Sequence, residues 1–223
     1  MTAGPAKGRV PAVPDGGAPP AATGQFVVVV PEVVDSIGHV LGNLFQRLYH
    51  LVEVARTDGA GAAEDLTTTT RHLEGFLRTA LDYLCPTTLT YQDLSIEDVV
   101  DGWRHQIGEA GGWGVRTEVE PRRPGVLRVD PAALRRSFAL IATRLSRCAD
   151  GGVVRLRIAT APGDRAVAVS ALLPPGAVDV GSSEREVEWA LAEKLIELQG
   201  GTLREARHGA GGTTWEIVLP VQS

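Results

Sequence analysis

From Pro31 onward apolar residues recur at three- and four-residue steps: Val34, Ile37, Leu41, Leu44, Leu48, Leu51 and Ala55 fall on one face of a helix. Pro31 suits the first turn, where its missing N–H costs nothing. The helix should stop around Thr57-Asp58-Gly59, and a second should run from about Ala62 to Leu84 with Leu66, Leu73, Phe76, Leu77, Ala80, Leu81 and Leu84 as its stripe. Pro86 ends it. Two helices of roughly 35 to 40 Å joined by a short Gly-containing turn make an αα-hairpin. Its apolar surface exceeds what the two helices can cover between them, and a second copy completing a four-helix bundle is the natural remedy.

The pattern then changes. Leu94 to Ile107 reads as a helix with Ser95 near its cap and Ile96, Val99, Val100, Trp103 and Ile107 inward. Short period-two stretches follow at Val115 to Val119 and Val126 to Val129, then a helix from Pro131 to Cys148. Val153 to Ala159 and Ala166 to Ala171 should pair around Pro162-Gly163-Asp164. A helix from about Glu184 to Gln199, closed by Gly200-Gly201, leads to strands at Thr202 to Ala206 and Thr213 to Leu219. The fold class expected is α+β, a two-helix hairpin followed by a sandwich with helices on one face of a mixed sheet. No internal repeat is visible. Residues 1–24 are mostly Ala, Gly, Pro and small polar types, a composition that predicts a disordered tail. The domain expectation is therefore a tail at 1–24, a hairpin at 25–88 and a sandwich at 89–223.

Charge and composition narrow the partners. A net charge of -5 provides no field for nucleic acid or an anionic membrane surface, so neither is expected as a partner. The apolar run from Phe26 through Val34 is broken by Pro31 and Glu32 and falls far short of the ~20 residues that span a bilayer. A soluble, cytoplasmic protein is expected. The two cysteines, Cys85 and Cys148, lack metal-ligand spacing and read as small buried hydrophobes of a reducing compartment. Neither a cofactor nor a metal is expected, because no Ser-His-Asp, Cys-His or metal-ligand cluster stands out.

Four stretches carry a resemblance. These are Arg71-His72-Leu73 through Leu81-Asp82-Tyr83-Leu84, Leu94-Ser95-Ile96-Glu97-Asp98-Val99-Val100, Val129-Asp130-Pro131-Ala132-Ala133-Leu134, and Gly209-Ala210-Gly211-Gly212-Thr213-Thr214-Trp215-Glu216-Ile217-Val218-Leu219-Pro220. In that order they resemble the second hairpin helix, the opening of the catalytic domain, the entry to the first ATPase helix and the closing hairpin of bacterial histidine kinases. The resemblance spans roughly residues 31–221. It implies a dimerising hairpin, an ATPase-type sandwich and a response-regulator receiver domain as partner, with a homodimer as the assembly.

The departures carry more information. The family's magnesium-holding asparagine falls on Arg144, with Leu140 one turn earlier, and a cation does not ligate magnesium. Where the family has an aspartate and glycines for adenine, this chain reads Ala171-Leu172-Leu173-Pro174-Pro175. Its glycine run for phosphates becomes Glu186-Val187-Glu188-Trp189, which sets two carboxylates where phosphates would lie. Loss of all three places argues against ATP binding, and a fold can outlive its ligand.

In the family the phosphoacceptor histidine is followed by an acid, then four positions on by Asn or Thr. Here His39-Val40-Leu41-Gly42-Asn43 keeps the histidine and the asparagine but has Val40 for the acid. The candidate catalytic residues are therefore His39 and Asn43. At about 100° per residue they share a polar stripe with Gln46 and His50, away from the Leu41, Leu44, Leu48 face. A neutral imidazole is a competent nucleophile near neutral pH. The plainer alternative is that His39 and His50 are polar surface residues. His72 and His105 read as surface or partly buried satisfied groups, and His208 as a loop residue.

Two basic clusters, Arg116 with Arg122-Arg123 and Arg135-Arg136 with Arg144 and Arg147, are either solvated faces or a surface for an acidic receiver or anion. Trp103, Trp113, Trp189 and Trp215 read as packing residues, with Trp189 a candidate cap for the vacant nucleotide cleft. The functional expectation is a two-component phosphorelay protein, a histidine phosphotransferase rather than an ATP-dependent kinase if it is an enzyme. The competing expectation is a non-catalytic pseudokinase scaffold that binds a regulator or kinase.

Overall fold

The computed structural model describes residues 29–57, 61–110, 114–119, 125–149, 153–160, 166–172, 183–208 and 212–221. The hairpin is α1 (Pro31–Thr57) and α2 (Gly61–Leu84). Next come β1 (Gln92–Ser95), α3 (Ile96–Ala110), β2 (Gly114–Val119), β3 (Val126–Val129) and α4 (Pro131–Ala149). The chain continues through β4 (Val153–Thr160), β5 (Ala166–Leu172), α5 (Ser183–Glu197), β6 (Thr202–His208) and β7 (Gly212–Pro220). The five-stranded sheet runs β2-β4-β5-β7-β6, with β2 and β4 parallel and the other neighbours antiparallel. This is the α+β class expected. The tail expected at 1–24, the turn at 162–164, and Trp113, Arg122 and Arg123 lie outside the described residues.

Local chemistry explains the element ends. The segment from Leu94 is not helical at its start: β1 pairs antiparallel with β3, setting Leu94 opposite Leu127. The helix begins only after Ser95, whose Oγ accepts the Asp98 N–H at 3.1 Å and donates to the Asp98 carboxylate at 2.7 Å. Asp130 caps α4 by accepting from the N–H groups of Ala132 (2.8 Å) and Ala133 (2.9 Å). At the end of α5, Gly200 takes φ +77° while the Gly201 N–H reaches the Ile196 carbonyl at 3.0 Å and the Gly200 N–H that of Glu197 at 2.8 Å. That left-handed stop favours glycine.

Two buried clusters hold the molecule. One lies between the sheet and α3, α4 and α5, with Trp103, Ile107, Phe138, Ile141, Leu145, Ile196, Trp215 and Ile217. Trp103 tilts against Phe138 with ring centroids 4.4 Å apart. The second joins sandwich to hairpin: Ile37 and Leu44 of α1 and Phe76, Ala80 and Tyr83 of α2 meet Val187, Leu191 and Leu195 of α5. The helix α5 therefore buries two sides, Ala192 and Ile196 toward the sheet core and Leu191 and Leu195 toward the hairpin.

Part of the hairpin's apolar surface is covered within the chain by α5. A flanking stripe stays open: Val34, Phe45, Tyr49 and Val52 on α1, and Leu77, Leu81 and Leu84 on α2, are exposed. Cys85 also departs from expectation, for it is a free, exposed cysteine, displaced outward just past the last turn of α2. Among the described residues no helix is long and apolar enough to cross a membrane.

Candidate functional site

His39 and Asn43 both lie on α1 and both are exposed. Ile37 and Leu44 fix the phase of the helix by pointing into the cluster under α5. At about 100° per residue, His39, Asn43, Gln46 and His50 then fall well away from that direction, and all four are exposed. Val40 does not share their environment. It is partly buried and packs against the hairpin–sandwich cluster. The place where the resemblance calls for an acid has become a packing position.

One turn before Val40, the Ser36 hydroxyl donates to the Glu186 carboxylate at 2.6 Å. Across the hairpin, His72 Nε2 lies 2.8 Å from the Glu184 carboxylate. The first turn of α5 thus reaches both hairpin helices beside the polar stripe. Neither pair follows from sequence spacing, since each joins residues more than a hundred positions apart.

Between α4, α5 and the sheet, the side chains of Arg144, Trp189 and Trp215 pack on one another. The Arg144 guanidinium lies 4.5 Å from the Trp189 ring and 5.1 Å from the Trp215 ring, which are themselves 5.2 Å apart. It also pairs with Glu205 at 3.4 Å, and Arg147 pairs with Glu188 at 3.0 Å. Burial pushes the Glu188 carboxyl above the usual range, and nearby Glu184 adds to this, while Arg147 pulls the other way. Val187 is fully buried.

Arg144 offers no oxygen ligand, and Glu188 adds negative charge beside the place where phosphates would sit. Among the described residues, no group of three or more His, Cys, Asp or Glu side chains is placed to hold a metal ion.

Three of the four arginines of the α4 cluster are paired. Arg136 pairs with Asp82 of α2, Arg144 with Glu205 and Arg147 with Glu188. Arg135 is exposed at the rim of a groove between α3 and α4 that also includes Asp98, His105 and Glu109. His105 is a surface residue 3.2 Å from Glu109. Lys194 was missed by the sequence reading. Its only signal was a cation between Leu191 and Leu195 on the buried side of α5.

No family model matches the chain, and no curated protein matches it significantly. Solved structures do. The histidine kinase AdeS of Acinetobacter baumannii is similar with a TM-score of 0.60 and 14% identity, covering 83% of this chain and 98% of that one. Histidine kinase ThkA, solved in complex with response regulator protein TrrA, is similar with a TM-score of 0.64 and 12% identity over 87% of this chain. Full-length ShkA, solved in complex with AMPPNP, has a TM-score of 0.55 and 15% identity over 88% of this chain. The chain spans 62% of the ThkA structure and 47% of the ShkA structure. The fold is histidine-kinase-like.

Proposed function

We propose that this chain is a two-component phosphorelay protein that docks response-regulator receiver domains on its hairpin and passes phosphate through His39, without using ATP. The observation that carries this reading is the contrast between its two sites. The polar stripe with His39 and Asn43 is exposed, while in the sandwich Arg144 stacks on Trp189 and Trp215 at the position where the family holds magnesium. That ThkA was solved with a response regulator supports the choice of partner.

In this reading an imidazole nitrogen of His39 attacks the phosphorus of the receiver's aspartyl phosphate. The phosphoryl group moves to nitrogen and the aspartate leaves as carboxylate. Asn43, one turn on, orients the docked carboxylate or a water. Magnesium belongs to the receiver. The open apolar stripe of α1 and α2 pairs two copies into a four-helix bundle. The hairpin at 25–88 and the sandwich at 89–223 serve as the docking and supporting parts of one cytoplasmic protein.

A scaffold that binds a regulator or kinase without carrying phosphate is the second reading. The partial burial of Val40, at the position where the family has an acid, favours it. Purified protein mixed with receivers already phosphorylated on aspartate decides. Acid-labile phosphohistidine at His39 by mass spectrometry, abolished in His39→Ala, is the result expected. Binding with no phosphohistidine in any receiver tested would replace phosphotransfer with the scaffold.

A further inference from the structure

The Lys194 ammonium is buried, with the residue only 6% exposed, and it donates to three backbone carbonyls of another element: Asp82 at 3.1 Å, Tyr83 at 2.7 Å and Cys85 at 2.7 Å. These carbonyls lie at the end of α2, where a helix has no intrahelical N–H left to offer. A cation at a helix C-terminus also meets the negative end of the helix dipole. Burial lowers the lysine pKa from its ordinary value, while Cys85 and Asp82 nearby oppose that shift. An ammonium carried into the interior is tolerated where its donors are matched, and here three donors meet three acceptors.

Other ties run along the same junction. Asp82 pairs with Arg136 of α4, and Glu186 and Glu184 of α5 engage Ser36 and His72. The connector after α2 is held too. The Thr90 N–H donates to Asp130 at 2.6 Å, and the Tyr91 hydroxyl donates to the Leu198 carbonyl at 2.9 Å. The attachments therefore stretch from the first turns of α1 to the connector, with the apolar cluster of Leu191 and Leu195 between them.

We infer that Lys194 is a clamp that closes the C-terminus of α2 from the sandwich and makes hairpin and sandwich one rigid, cooperatively folding body. The segment 85–91 then works as a strap and not as a hinge. The sandwich holds one fixed position against the hairpin whether or not His39 carries phosphate.

The test uses the full chain in urea. Trp103, Trp189 and Trp215 lie in α3, α5 and β7, and the hairpin segment 31–84 contains no tryptophan, so tryptophan fluorescence reads the sandwich half. Hydrogen exchange of peptides covering 37–57 and 66–84 reads the hairpin. A shared midpoint is expected for the wild type, and midpoints separated in either direction would overturn the clamp. In buffer, Lys194→Met should speed amide exchange over 80–90 about tenfold and pull the hairpin midpoint below that of the tryptophans. Exchange within twofold of wild type would also overturn it. Should Lys194→Met not fold, Arg136→Gln is read the same way, with a smaller effect of at least threefold expected and an unchanged rate counting against the clamp.

Discussion

Restoring the acid next to His39 should damage the fold before it improves any chemistry. Val40 packs against the cluster formed by Ile37, Leu44, Val187 and Leu191. Replacing it with Glu removes the burial of a partly covered valine, about 1 kcal/mol at half of the full side-chain value. It also draws a carboxylate toward an apolar junction, at about 1 kcal/mol or more when the group keeps partial access to water. Glu186 of α5 is bound to Ser36, which lies one helical turn before Val40. Two carboxylates brought within about 8 Å of each other repel by about 2 kcal/mol at an effective dielectric of 20 before salt screening. The loss expected is about 2 to 4 kcal/mol.

Val40→Gln separates the parts, since it keeps the bulk and polarity but omits the charge. Urea unfolding followed by tryptophan fluorescence measures both variants. With a slope of about 2 kcal/mol per M, Val40→Glu should lower the midpoint by about 1 M or more, and Val40→Gln by roughly half as much. Added salt should narrow the gap between them. A Val40→Glu midpoint within about 0.3 M of wild type would refute the claim that this position has been taken over by packing.

Two further outcomes follow from the same geometry. If the open stripe pairs two copies, Leu81→Glu, at a position 56% exposed in the single chain, should convert a dimer to a monomer in sedimentation while leaving helix content unchanged; an unaltered dimer would exclude that stripe as the interface. Glu188 supplies a pH dependence: its carboxyl is raised above 4.5, first by burial, so the folded chain keeps a proton that the unfolded chain has lost. The stability of wild type relative to Glu188→Gln should therefore fall as pH rises from about 4.5 through the raised value and then level off, and a difference that grows with pH would contradict the burial argument.

The elements were legible wherever one face of a segment meets the core and the other meets water. The stripes of α1 and α2 and the strands β6 and β7 show this pattern, and their bounds fall close to expectation. The helix α5 hides its role because it is covered on two sides, so no single stripe announces which neighbour each side meets. β1 was hidden because Leu94 continues the helical spacing of Ile96 to Ile107, while its backbone pairs with a strand about thirty residues away. His39 and Asn43 were legible as an exposed pair from helical phase alone. Lys194, Arg136 and Ser36 were not, because each is matched to a residue on a distant element.

Several of the departures from the histidine-kinase pattern coincide with the contacts that join the two halves. Val40 and Val187 belong to the hairpin–sandwich cluster and Glu186 holds Ser36, while Arg144 stacks on Trp189 within the sandwich. Here Arg144 has Glu205 and two indole faces, and Arg147 and Glu188 have each other. The residues at these positions are matched to one another. On that argument, reinstating a single family residue such as an asparagine at 144 would remove a stacked guanidinium and leave Glu205 without that partner. The result should be a less stable chain with no gain in nucleotide affinity, readable by thermal shift with and without magnesium and ATP. A stabilising shift with nucleotide in Arg144→Asn would mean that the site is blocked by one side chain and otherwise intact.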